Sequence, residues 1–197
     1  MAEPAGMRHQ HDDRGADAPL VAAARRGDRF AFGALHARYG KMVHAILLGR
    51  VPARDAADLV QDVFLRALER IASLRDDAAF GGWLAQIARH RAADHLRARR
   101  GESGLPEDLA ARDAGTGRAE AAQALAAIRA LPDAYCETLL MRLVEGMTGD
   151  EIAARTGLTP GSVRVNLHRG MRLLRERLGL PASLADEAKD EVEEVDE

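Results

Sequence analysis

Cysteine, lysine and aromatic residues are scarce in this 197-residue chain, and each scarcity excludes something. The single cysteine, Cys136, rules out an intramolecular disulfide and any cysteine-based zinc site, and it suits a reducing compartment such as the cytoplasm. Four Phe, two Tyr and one Trp are too few for a large β-sandwich or barrel. Ala and Leu dominate instead, which favours helix. Apolar runs extend only a few residues, so no segment is expected to insert in a membrane. The first residues include Pro4, His9, Asp12, Asp13 and Asp17 without an apolar stretch, so no secretory signal is expected.

Catalytic signatures are missing as well. The chain has no GxSxG, no GxxxxGK[ST] and no HExxH. His90 and His95 are five apart and do not share a helix face as an i, i+4 metal pair would. The expectation is therefore a non-enzyme with no catalytic residues, no metal, no cofactor and no small-molecule substrate.

What is present is charge of an uneven kind. All but two of the 28 basic residues are arginine, the exceptions being Lys41 and Lys189. Residues 186–197 carry a net −7 within the chain total of −3, which leaves +4 for residues 1–185. Five arginines fall between Trp83 and Arg100 against Asp94 alone, and six between Arg155 and Arg177 against Glu176 alone. Two Arg-rich helical stretches in a globally acidic chain point to two anion-binding surfaces, although two solvated helix faces would give the same pattern. Arginine favours planar phosphate and base-edge recognition over plain charge neutralisation.

The pattern along the chain predicts an all-α protein of two small helical domains joined by a flexible linker. Residues 1–18 are polar and aperiodic, and read as a disordered lead. Residues 19–100 form the first domain: Gly27-Asp28 offers an N-cap before Phe32, Leu35, Tyr39, Val43 and Ile46, and Pro52 ends that pattern. Further helices are predicted over about 55–72 and 80–100. Residues 101–121 combine Gly, Pro, Ser and acids, and read as the linker. Residues 122–180 form the second helical domain, and residues 181–197 an acidic tail. The tail reads as a solvated extension; the sharper alternative is an internal mimic of nucleic acid on an Arg-rich helix.

Within the second domain, Thr148-x-x-Glu151 is a capping box, Gly157 suits a helix C-cap, and Thr159-Pro160 opens another helix. Two short helices across a Gly turn form a helix-turn-helix, the DNA-reading unit. On the second helix Val163, Leu167, Gly170, Met171, Leu174 and Leu178 make a core stripe. The opposite side presents Gly161, Ser162, Val165, His168, Arg169 and Arg172, with Arg164 on the flank. That composition suits a major groove: donors for guanine, a methyl contact for thymine and arginines for phosphates.

In the first domain, the 55–72 helix buries Leu59, Val60, Val63, Phe64, Ala67, Leu68 and Ile71, and turns Asp58, Asp62, Leu65 and Glu69 outward with Gln61 beside them. A leucine among acids on an outer face fits a docking surface for a basic partner, and equally an ordinary amphipathic helix with one stray apolar residue.

Four strings carry a family resemblance. LPDAYCETLLMRLVEGMTGDEIAARTGLTPGSVRVNLHRGMRLLRERL resembles the region of bacterial RNA polymerase sigma factors that binds the −35 promoter element. DAADLVQDVFLRALERI resembles the sigma helix that docks on the clamp helices of the polymerase β′ subunit, with Asp58, Leu59, Val60, Gln61, Asp62, Phe64 and Ala67 at matching positions. FGGWLAQIARHRAADHLRARR resembles the loop and helix that read the −10 element, and AARRGDRFAFGALHARYG the first helix of the same domain. His90 stands where the family often has Asn, and Leu74 where an aromatic is common, which leaves the preferred −10 sequence open.

The resemblance is to the extracytoplasmic-function (ECF) class of sigma factors. It implies a cytoplasmic specificity subunit that binds core RNA polymerase through the β′ clamp helices and the β flap, directs it to promoter DNA and assists strand opening. It also implies an anti-sigma partner. The residues it marks for polymerase are Asp58, Gln61, Asp62, Leu65 and Glu69. Those for the −10 single strand are Leu74, Phe80, Arg89, His90, Arg91 and Arg97. Those for the −35 element are Ser162, Arg164, Val165, His168, Arg169 and Arg172. Trp83, spaced with Leu84 and Ile87, reads as core. The competing reading is a conventional helix-turn-helix regulator that binds an operator without polymerase.

Overall fold

A computed structural model describes residues 17–102 and 116–181, all of it helix, turn and connection with no strand among the described residues. Eight α-helices follow in chain order: α1 (Ala18–Arg25), α2 (Arg29–Leu48), α3 (Ala53–Arg70), α4 (Phe80–Glu102), α5 (Thr116–Arg129), α6 (Asp133–Leu143), α7 (Gly149–Thr156) and α8 (Pro160–Leu178). None of the described helices is long and apolar enough to cross a membrane.

The caps set these bounds. Asp28 accepts hydrogen bonds from the backbone N–H groups of Phe30 and Ala31 at 2.9 and 3.1 Å, which starts α2. Pro52 and Pro132 precede α3 and α6. Thr148 and Glu151 close a reciprocal capping box on α7, with contacts of 2.7 and 3.2 Å. Gly157, at φ 77°, ends α7 in the left-handed region, and Thr159 then caps α8 with Pro160 in its first turn. The helix-turn-helix therefore has the boundaries its sequence predicts.

Three boundaries differ from expectation. Asp17 is already built into the fold: it is 3% exposed and accepts a 2.7 Å hydrogen bond from the Tyr39 hydroxyl and an ion pair from Arg38. Helix α5 starts at Thr116, ahead of the expected domain start at residue 122. Leu68 is 47% exposed instead of buried, because the helix turns its apolar stripe toward α2 and α4 through Val60, Val63, Phe64 and Ala67. The acidic tail lies outside the described residues, as do His9, residues 1–16 and residues 103–115 of the linker.

The first half, α1 to α4, wraps around α2, whose Leu35, Met42, Val43, Ile46 and Leu47 are wholly buried. In the second half α6 packs on α5, α7 and α8. The halves do not stand apart: α2 packs on α6 and α7, and α4 on α7, so one buried apolar cluster runs through both. Polar groups reinforce this seam. Arg129 donates to the carbonyls of Leu48 and Val51 at 2.9 and 2.6 Å, satisfying two acceptors at the frayed end of α2. His44 pairs with Glu145 at 2.5 Å, and Arg155 reaches the carbonyl of Arg38 at 3.2 Å.

Candidate functional site

Three surfaces carry the residues singled out from the sequence. The first is the outer face of α3. Asp58, Gln61, Leu65 and Glu69 are exposed there, with Leu65 at 59%. Their helix is held from below by Leu59, Val63 and Phe64, the last in edge-to-face contact with Phe32. Asp62 is less free than its neighbours, because it forms an ion pair with Arg91 of α4. Leu68 adds a second exposed leucine, so the face is acidic around a small apolar centre.

At the α3–α4 contact Asp55 accepts from His95 Nε2 at 2.9 Å and from Arg99 at 2.6 Å. Burial pushes the Asp55 carboxyl up, but the two hydrogen bonds and the positive charges behind them outweigh it and hold the group below the usual carboxylate range.

The second surface is α4 with the preceding segment 74–82. The arginines marked there for the DNA strand are occupied. Arg89 of α4 forms a fork on Glu137 of α6, Nε to Oε1 at 2.9 Å and Nη2 to Oε2 at 2.7 Å. Arg91 is on Asp62, and Arg97 pairs with Asp94 one turn away. His90 is exposed. Leu74 and Phe80 are not: they are 7% and 1% exposed. Phe80 packs edge-to-face on Tyr39 with ring centres 5.1 Å apart, and its ring also lies 5.8 Å from that of Trp83. Phe80, marked for the DNA strand, is thus a core aromatic, while Trp83, expected in the core, packs against it but stays partly open to solvent. The reason is helix phase: Phe80 opens α4 in line with Leu84, Ile87 and Ala88, and Trp83 falls at the edge of that stripe.

Trp83, Gln86 and Arg75 line an open cavity of about 500 Å³ whose opposite wall is Arg155, Thr156 and Gly157 of the second half. Gly81 allows a close backbone approach to α7, since a Cβ there would meet the Arg155 carbonyl.

The third surface is the outer side of α8. Ser162, Arg164, Val165, Arg169 and Arg172 are exposed, with Val165 at 45%. Arg172 lies 3.8 Å from Glu176. Val163, Gly170 and Leu174 are buried on the inner side. His168 is half-buried, which is a departure from its expected place among the outward residues.

Sequence reasoning missed the residues that join the halves: Arg50, Arg129, Glu137 and Arg155. Glu137 carried a readable signal, an acid inside the apolar run of α6 one turn after Asp133, where burial demands a partner. It accepts from Arg50 at 2.9 Å as well as from Arg89. Burial lowers the pKa of the Arg50 guanidinium, but its bonds to Asp133 and Glu137 outweigh that and raise it, and the pKa of Arg89 is raised chiefly by its bond to Glu137. Both arginines are therefore fixed cations at any working pH.

Residues 35–102 match the family described as Sigma-70 region 2, and residues 121–174 match Sigma-70, region 4. The chain belongs to the sigma-70 family. It is 29% identical over 179 residues to the ECF RNA polymerase sigma-E factor of Haemophilus influenzae, across 82% of this chain and 95% of that protein. It is 31% identical over 175 residues to the ECF RNA polymerase sigma factor BldN of Streptomyces coelicolor, across 81% of this chain and 64% of that protein. A third relative, the probable RNA polymerase sigma factor RfaY of Xanthomonas campestris pv. campestris, is 36% identical over 170 residues, which are 79% of this chain and 42% of that protein. Among solved structures, CnrH in complex with the cytosolic domain of CnrY superposes with a TM-score of 0.55 at 27% identity, over 83% of this chain and 97% of that one. With both regions present and ECF-designated relatives along most of its length, this sigma factor is of the ECF class.

Proposed function

We propose that this sigma factor binds core RNA polymerase, directs it to promoters with particular −35 and −10 elements and assists opening of the duplex. It acts in the cytoplasm, as a binding subunit with no catalytic step of its own. The observation that carries this reading is the pairing, in one chain, of a helix-turn-helix with exposed arginines and a separate acidic face centred on Leu65. A conventional operator-binding regulator needs the first and has no use for the second.

In this reading Asp58, Gln61, Leu65 and Glu69 of α3 meet the basic β′ clamp helices, where opposite charge speeds docking and the leucine supplies apolar contact. The second half meets the β flap. Ser162, Arg164, Val165, Arg169 and Arg172 enter the −35 major groove, with Arg164 and Arg169 as the donors suited to guanine edges and the flanking arginines on phosphates. Arg89, His90, Arg91 and Arg97 follow the −10 single strand, and the open cavity beside Trp83 has the size and aromatic wall to accept an unstacked base. Leu74 and Phe80 support that wall from the core. An anti-sigma protein completes the set of partners, as CnrY accompanies CnrH.

Run-off transcription with purified core polymerase tests the proposal. Initiation from a responsive upstream region is expected only when the chain is added, and is expected to fall with Asp58→Lys, which reverses an exposed charge on the docking face. A chain that never engages core enzyme, yet shifts a palindromic duplex by itself, would make it a conventional regulator.

A further inference from the structure

Arg50, in the turn that follows α2, and Arg89, in the middle of α4, come from different parts of the first half and converge on one carboxylate of the second. Glu137 is 8% exposed, and Arg50 donates to its Oε1 at 2.9 Å while Arg89 forks across both oxygens. Two guanidinium groups face two acids, but only Glu137 is buried with them. Asp133, the other acid on Arg50 at 2.8 Å, has a side chain 77% exposed, so solvent screens its share of the compensation. Arg50 Nε is shut off from solvent and has no acceptor. Two guanidinium groups that share one anion repel each other once that anion leaves, and the positive charge of Arg50 already acts against that of Arg89.

This arrangement deepens the proposed function and rests on it. We infer that Arg50 and Arg89 form a single clamp for a backbone phosphodiester of the promoter strand, and that Glu137 fills the clamp as an internal stand-in for that phosphate while the second half is docked. A phosphodiester and a carboxylate share the features the clamp reads: one negative charge and two equivalent oxygens that accept a guanidinium fork. The phosphate adds acceptor capacity that the Nε of Arg50 lacks in the closed chain. Since α6 covers the clamp, strand binding and release of the second half become mutually supportive. The free chain masks its own strand site, and core polymerase, by holding the two halves apart, exposes it.

The test is anisotropy of a fluorescein-labelled, mixed-sequence 20-mer of single-stranded DNA titrated with the full chain at several salt concentrations. Glu137→Gln keeps the shape and removes the charge, and should tighten binding about tenfold at fixed salt because a larger fraction of the chain is competent. Gly81→Ala parts the halves without altering any charge and should act in the same direction. Arg50→Gln added to Glu137→Gln should cancel the gain and flatten the salt slope by about 0.7, the value for one phosphate on a single strand.

Unchanged affinity in both Glu137→Gln and Gly81→Ala would overturn the masking. A double variant that binds as tightly as Glu137→Gln with the same slope would overturn the role of Arg50. Displacement of the DNA by millimolar inorganic phosphate at constant ionic strength would assign the clamp to free phosphate in place of the strand. Run-off transcription by the unaltered chain separates the two levels. Initiation with no gain in Glu137→Gln removes this inference alone, whereas a gain without initiation removes the sigma reading.

Discussion

A Cβ atom added to Gly81 would stand 2.2 Å from the carbonyl oxygen of Arg155, a backbone-to-backbone approach between the first turn of α4 and the last turn of α7. A second contact, 3.0 Å from Cε1 of the buried Tyr39, closes the same space. Gly81 is thus a point where the two halves meet backbone to backbone with no space for a side chain.

The first consequence is a reporter of opening. Cys136 is buried, with its Sγ only 3.1 Å from a Cβ placed on Gly49, so the thiol sits in the seam. Burial, with Glu137 and Asp133 nearby, pushes its pKa up to about 11. Alkylation by iodoacetamide at pH 8 is expected to be slow in the native chain and about tenfold faster in Gly81→Ala, since opening restores water to the thiol. Equal rates, followed by mass spectrometry, would mean that the seam does not protect Cys136.

Arg129 offers a stability test at the same seam. Its side chain satisfies the carbonyls of Leu48 and Val51, and burial lowers its pKa against an opposing effect of Cys136. Arg129→Ala leaves two acceptors without that donor and should cost about 1–3 kcal/mol in urea unfolding. Asp133→Asn, at a side chain that is 77% exposed, should stay within about 0.5 kcal/mol of the native value.

Acid sensitivity follows from Asp55. Its carboxyl is held below the ordinary value by His95 and Arg99 against the opposing effect of burial, so it is more acidic in the folded chain than in the unfolded one. The stabilisation is complete above the unfolded value of about 3.9 and is lost as pH falls through the lower folded value. The gap in urea midpoint between the native chain and Asp55→Asn is therefore expected to be widest near pH 6 and to close toward pH 3. A gap that stays constant over that range would contradict the assignment.

Leu65 and Phe80 separate function from packing. Phe80 is 1% exposed, and Phe80→Ala should cost about 3–5 kcal/mol on thermal unfolding. Leu65 is 59% exposed, and Leu65→Ala should leave the melting temperature nearly unchanged while weakening association with core polymerase several-fold. Fluorescence titration against core enzyme reads the second effect directly.

Local signals were legible from residue order alone. Thr148, Glu151, Gly157, Thr159 and Pro160 act over distances of one turn, so the helix-turn-helix could be bounded by residue type before any coordinate was known. The same holds for the outward placing of Leu65, a matter of helical phase on α3. Leu68 and Trp83 lie at stripe edges, where a shift of one position in phase changes burial and only the neighbouring helix decides it, whereas Phe80 lies within the stripe and its marking for the DNA strand came from the resemblance.

Residue order is enough to set the helices, their caps, the two regions in order and the charge of each outer face, because those depend on contacts between residues three or four apart. That the halves share a core, and that Arg89, marked for a DNA strand, is held by Glu137, emerges from packing between distant helices. That pairing joins residues 48 apart across two helices. No local periodicity encodes it, since two isolated charges become partners only when packing removes both from water and leaves each the other's nearest acceptor or donor.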